Sequence, residues 1–192
     1  MPELPTTLRG AATSRRILDV AGDEFAERGI AGARIDRIVA AARTNKAQLY
    51  GYFGSKDGLF DAVVADYAER LRSAGAFDGD DLAEWAVRLY DEYLRHPELI
   101  RLTAWIRLER QPAGLAFDRS HLDTKLAAIT AAQAAGTMRQ GDPLDLLTML
   151  AGMAGAWSPV STTYTATPDE TETEHERRRA LLRESVRRAI AP

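Results

Sequence analysis

Between Asn45 and Phe60 the sequence reads NKAQLYGYFGSKDGLF, and its polar side chains are of the kinds that contact nucleic acid. Lys46 and Gln48 stand near the start of a short helical segment, where an ammonium and a carboxamide can reach base edges in a major groove. Tyr50 and Tyr52 can lay their rings on a sugar-phosphate wall and aim hydroxyls at phosphate oxygens. Lys56, just past a turn, adds a point charge beside the free amides of the next helix. Phe53 carries no polar atom and is expected in the core against Phe25 and Phe60. The same tyrosines could equally be core residues of a small helical bundle; the charge around them favours the contact reading. From Arg34 to Lys56 five basic residues (Arg34, Arg37, Arg43, Lys46 and Lys56) face Asp36 alone. The whole chain carries a net charge of −3, so this is a local basic patch on an otherwise acidic protein, the electrostatic footprint of a nucleic-acid contact.

Other chemistries find little to work with. The 192 residues include no cysteine, which excludes disulfides and thiolate metal sites. Three histidines, at 96, 121 and 175, are far apart in sequence, so no metal centre is expected. There is no nucleophile elbow, phosphate loop or pair of catalytic carboxylates, and the chain is expected to be neither an enzyme nor a cofactor protein. No apolar run approaches the roughly 20 residues of a membrane span. The segment MPELPTTLRG lacks the charged-then-apolar pattern of a secretory signal. A cytoplasmic protein with no membrane partner is the expectation.

The elements that must position the basic segment are helices. Nearly every stretch carries the 3.6-residue period, which predicts an all-α fold of about nine helices. Ile17, Ala21 and Phe25 make one stripe over 13–28, with Gly29 as the stop. Ile35, Ile38 and Val39 turn inward on a short helix over 35–42, and a second short helix covers 45–52. Ser55 caps a longer helix with Phe60, Val63, Val64, Tyr67 and Leu71 in line. SAGAFDGDD, at 73–81, is a turn-rich joint. Beyond it, Leu82, Trp85, Leu89 and Tyr93 mark a helix, and Pro97 opens the next. Leu122, Leu126 and Ile129 define another. Asp142-Pro143 starts a helix that Pro159 ends, and Thr167 with Glu170 is read as the capping box of the last one. The acidic run DETETEHE and the arginines after it are read as a solvated face.

Two short helices joined by about three residues outline a helix-turn-helix, whose second helix enters the major groove by its N-terminus. Asn45 suits the cap of that helix, and Gln48 can complete a capping box. Residues 12–60, with RRILDVAGDEFAERG followed by IDRIVAAARTNKAQLYGYFGSKDGLF, resemble the DNA-binding domain of the tetracycline-repressor-like (TetR) family of regulators. HPELIRLTAWIRLER and LAGMAGAWSP are similar, more loosely, to one group of that family's C-terminal domains. The resemblance implies a homodimer on a palindromic double-stranded operator, released when a small-molecule effector enters the C-terminal domain. It implies DNA contacts at Arg43, Thr44, Asn45, Lys46, Ala47, Gln48, Tyr50, Tyr52 and Lys56. The family pattern is broken twice: Arg43 stands where a glycine with positive φ is usual, and Arg34 where a threonine usually caps the second helix.

The resulting division is a DNA-binding domain over 12–60 and an effector-binding and dimerisation domain over 61–192. Trp85, Tyr90, Tyr93, Trp105 and Phe117 supply rings for a mostly apolar effector site, with His121 as a further polar group; the same rings also suit a plain core. Leu146, Met149, Leu150, Met153 and Trp157 form one stripe and Leu182, Val186 and Ile190 another, which paired with their two-fold copies would make a four-helix dimer interface. A rival reading is a helical ligand-sequestering or protein-binding module that has lost DNA binding through Arg34 and Arg43.

Overall fold

The computed structural model describes residues 8–74, 81–110, 113–114 and 122–192. Across them run nine α-helices: α1 (Leu8–Gly32), α2 (Ile35–Ala41), α3 (Lys46–Phe53), α4 (Lys56–Ala74), α5 (Leu82–Arg95), α6 (Pro97–Trp105), α7 (Asp123–Ala134), α8 (Pro143–Ala154) and α9 (Glu172–Ile190). A π-helical turn, Ile106–Arg110, continues α6, and there is no strand among the described residues. The all-α expectation holds. By packing the chain falls into two units, Met1–Arg70 with Arg101–Ala116, and Leu71–Ile100 with Phe117–Pro192.

In the first unit the predicted stripe of α1 is fully buried at Ile17, Ala21 and Phe25. Ile38 of α2, Leu49 and Phe53 of α3, and Leu59, Phe60, Val63 and Tyr67 of α4 close the core around it. Phe25 and Phe60 meet edge to face with ring centroids 5.0 Å apart, and each such burial contributes roughly 1.5–3 kcal/mol. Ser55 caps α4 as expected, its hydroxyl accepting the Gly58 amide at 3.0 Å.

Gly29 breaks the helix as expected, with φ 68°, but a further turn follows it directly and runs on to Gly32. A Cβ at position 29 would lie 2.8 Å from Trp105 Cε3 and would also collide with the Glu109 carboxylate, so only glycine fits. That carboxylate accepts the Ile30 amide at 2.7 Å and the Ala31 amide at 3.3 Å, doing for the resumed turn what a local cap normally does. Beside it Trp105 Nε1 donates to the Ala26 carbonyl at 3.1 Å. Arg110 pairs with Asp61 at 3.0 Å and stacks 5.0 Å over the Phe60 ring.

In the second unit α5, α7, α8 and α9 share a core that includes Trp85, Leu89, Ile129, Leu150, Leu182 and Val186. Asp81 caps α5 through the Ala83 amide, and Arg187, Arg183 and Arg179 of α9 pair with Asp81, Glu84 and Asp91 at 2.7, 2.5 and 2.8 Å. Asp142 caps α8 as expected. That helix stops at Ala154 rather than at Pro159, which leaves Trp157 in the following turn.

The start of α9 also differs from expectation. Its cap is Thr171, with Glu174 completing the capping box. Thr167 and Glu170 instead close a preceding turn, the Thr167 amide donating to Glu170 at 3.0 Å. The physical reason is Arg178, which is buried and takes the other oxygen of Glu170. His175 is buried too and shares a 2.7 Å hydrogen bond with the Tyr90 hydroxyl. The arginine-rich run is therefore not wholly a solvated face. The inward stripe of α9 is His175, Arg178, Leu182 and Val186, and Tyr90 and Glu170 each bond one nitrogen of its two polar members.

Candidate nucleic-acid interface

The loop between α2 and α3 sets the geometry. The Thr44 amide donates to the Val39 carbonyl at 3.0 Å and the Arg43 amide to that of Ala40 at 3.2 Å, the pair of bonds that defines a Schellman helix end. Its left-handed position is Arg43, with φ 50°, the only non-glycine residue with positive φ among those described. The arginine keeps the conformation for which glycine is usual, at a cost of about 1–2 kcal/mol. The Arg16 guanidinium holds the turn from α1, Nε donating to the Ala42 carbonyl at 2.6 Å.

Recognition helix α3 is capped by Asn45, whose side-chain oxygen accepts the Gln48 amide at 2.8 Å. The reciprocal half of the expected capping box is not made. Gln48 spends its carboxamide along the helix instead: Thr44 Oγ1 donates to Oε1 at 2.6 Å, and Nε2 donates to the Tyr52 hydroxyl at 3.0 Å. Thr44, Gln48 and Tyr52, spaced four apart, thus form one hydrogen-bonded row on a single face. Tyr50 is 41% exposed while Leu49 and Phe53 are buried, so the helix separates a contact face from a core face. Ala47 is also exposed and presents only a methyl group.

The charges are less free than their count implies. Lys46 pairs with Asp36 at 2.7 Å, and that bond raises the lysine above its ordinary range. Arg37 pairs with Glu24 at 2.5 Å. Glu24 also accepts the Arg34 amide at 2.9 Å and so anchors the start of α2 to α1, while no side chain at Arg34 caps the helix. Burial opposes ionisation of Glu24, yet the bonds from Arg37 and the Arg34 amide outweigh it and hold the carboxyl below the usual range. Lys56 Nζ lies 3.5 Å from the Ala31 carbonyl, a contact weak enough to be exchanged for a phosphate.

Residues 17–63 match the bacterial regulatory proteins of the tetR family, and residues 81–188 match the tetracyclin repressor-like C-terminal domain. The chain belongs to the TetR family. It is 41% identical over 153 residues to the HTH-type transcriptional repressor SCO4008 of Streptomyces coelicolor, a match covering 78% of this chain and 79% of that one. The HTH-type transcriptional repressor NicS of Pseudomonas putida is 36% identical over 99 residues, 48% of this chain and 47% of its own. A solved structure, the putative transcriptional regulator SCO4942 of Streptomyces coelicolor, superposes with a TM-score of 0.77 at 33% identity, covering 94% of this chain and 99% of that one. This TetR-family chain is a helix-turn-helix transcriptional regulator and not an enzyme.

Its other expected sites are placed more selectively. Trp85 and Tyr90 are buried in the second unit, and burial raises the Tyr90 hydroxyl. Tyr93 is half-buried, with its hydroxyl pushed up to about 12 by burial. Tyr90 and Tyr93 line a cleft with Trp157 and Ser158 whose volume is about 10 Å³. That is room for a single water rather than an effector. Trp105 belongs to the first unit, where its indole is bonded to α1. Phe117 and His121 lie outside the described residues.

Of the eight residues expected at a dimer interface, Leu146, Leu150, Leu182 and Val186 are buried within their own chain. Their stripe faces the core, because α8 and α9 need it to cover α5. Met153, Trp157 and Ile190 are partly buried, and Met149 is 39% exposed. No helix among the described residues is long and apolar enough to cross a membrane.

Proposed function

We propose that this protein is a ligand-responsive, cytoplasmic repressor that holds a palindromic operator as a homodimer and releases it when a small, mostly apolar effector binds. Residues 12–60 carry DNA binding and residues 61–192 carry effector binding and dimerisation. The observation that supports operator reading most directly is α3, whose Thr44–Gln48–Tyr52 row and exposed Tyr50 present a pre-organised polar edge over a fully packed core.

Dimerisation is supported by the apolar side chains that α8 and α9 leave outside, Met149 and Leu181, at 39% and 53% exposure, rather than by the buried stripes. Tyr90, Tyr93 and Trp157 provide an aromatic lining for an effector once the small cleft opens. A ligand shifts the regulator only if it binds its two states unequally, so the closed cleft fits an operator-bound state that the effector disfavours.

The test is an electrophoretic shift with the DNA upstream of the protein's own coding region, titrated with a panel of hydrophobic compounds. A salt-sensitive complex that one compound class dissolves is the expected result. Absence of any complex, or a complex indifferent to every compound, would contradict the respective half of the reading.

A further inference from the structure

Next to the recognition helix, the first unit has an open concavity of about 490 Å³ with a strong charge bias. Arg9, Thr13 and Arg16 of α1 form one wall, and Arg43, Gln48 and Tyr52 form the other. Arg9 and Arg16 are seven residues apart, two helical turns, so they share a face. Thr13 between them returns its hydroxyl to the Arg9 carbonyl at 3.0 Å and leaves that face to the two guanidinium groups. No acidic residue lines the space. Among the described residues no carboxylate pairs with any of the three arginines, whereas neighbouring Arg15, Arg28 and Arg37 are all paired.

We propose that this concavity seats the sugar-phosphate backbone of bound DNA, so that α1 widens the footprint beyond the helix-turn-helix. Arg9 and Arg43 contact phosphate oxygens, while Arg16 braces the turn at Ala42 and adds its charge to the same wall. Three lines of observation converge on this occupant. The charge is of one sign and uncompensated, which suits a polyanion. The far wall is the exposed edge of α3, so the surface is continuous with the DNA-reading one. Finally, Arg43 occupies a left-handed position that glycine would fill without strain, and the adjacent groove supplies a reason for a cation there.

The inference rests on DNA binding by the helix-turn-helix, and the experiment separates the two. Binding of a random-sequence DNA duplex is measured against salt concentration for the wild type, Arg9→Ala and Arg43→Gly, since backbone contacts need no particular sequence. Each variant is expected to bind several-fold more weakly and to flatten the salt slope by about one. Relief of strain should at the same time raise the melting temperature of Arg43→Gly by roughly 2–4 °C. A merely structural Arg43 gives the rise in stability with undiminished binding. Wild-type affinity and slope in both variants, with the wild type binding normally, would overturn the groove proposal alone. Failure of the wild type to bind any duplex would overturn the DNA-binding reading and this inference with it.

Discussion

The Lys46 ammonium, at the first position of the recognition helix, lies 2.7 Å from a carboxylate oxygen of Asp36 on α2. Both side chains are mostly exposed, so the pair adds little to stability, but it sits where DNA must approach. Asp36 both neutralises Lys46 and repels phosphate. Asp36→Asn is therefore expected to bind nonspecific duplex more tightly and to steepen the salt dependence. Fluorescence anisotropy across a salt series checks this, and an unchanged or weaker affinity counts against a contact at Lys46.

Gln48 is held by Thr44 on one side and Tyr52 on the other. Tyr52→Phe removes the hydroxyl that accepts from Nε2 and lets the carboxamide turn. The expected change is in which bases are preferred, with total affinity falling little, because a good bidentate amide contact is worth about 1–3 kcal/mol of base discrimination. Selection from a randomised duplex pool reads the preference. If wild-type and Tyr52→Phe proteins select the same sequences, Gln48 does not read bases through this row.

Leu150 is fully buried, whereas Leu181 is 53% exposed. Leu150→Ala is expected to cost about 2–5 kcal/mol of stability. Leu181→Arg and Met149→Arg should leave the fold intact and yield monomers. Thermal melts combined with light scattering distinguish the cases, and a stable Leu181→Arg dimer would move the interface elsewhere.

Acid should loosen the protein in a definite window. Glu24, Asp81 and Glu84 are all held below their ordinary range; burial opposes the shift at Glu24 and Asp81, and bonds from Arg37, Arg187 and Arg183 respectively carry it. A carboxyl depressed in the folded state contributes stability that is present above its unfolded pKa of about 4 and is lost as pH falls through the folded value. Melting temperature should hold steady from neutrality to about pH 5 and fall below pH 4. In Arg187→Ala the acid-induced fall should be smaller, and a fall as large as in the wild type would remove Asp81 from the explanation.

The helix-turn-helix was legible because its signals are local. Asn45, Ser55 and Asp142 cap through amides two or three residues away, and the stripes of α1 and α4 repeat within a single helix. What escaped depends on partners distant in sequence. The burial of His175 depends on Tyr90 of α5, 85 residues away, of which the run of charges carries no trace; Glu170 lies in that run, but nothing there marks it as the partner of a buried Arg178. The stripes of α8 and α9 were seen, but periodicity does not say whether a stripe faces its own core or a second chain. The concavity beside α3 had a faint signal, two arginines seven apart, which gains meaning only once Arg43 is set opposite them.

Glu109 closes a helical turn laid down 79 residues earlier, at Ile30, and Trp105 and Arg110 grip α1 and α4 from the same short segment. During synthesis α1 is made long before those three side chains exist. Until they arrive, the amides after Gly29 have only water to satisfy them. The DNA-reading unit therefore cannot finish folding in the order in which it is made. Completing it means closing a loop of 79 residues between Ile30 and Glu109, and a truncated chain ending at α4 would lack that closure altogether.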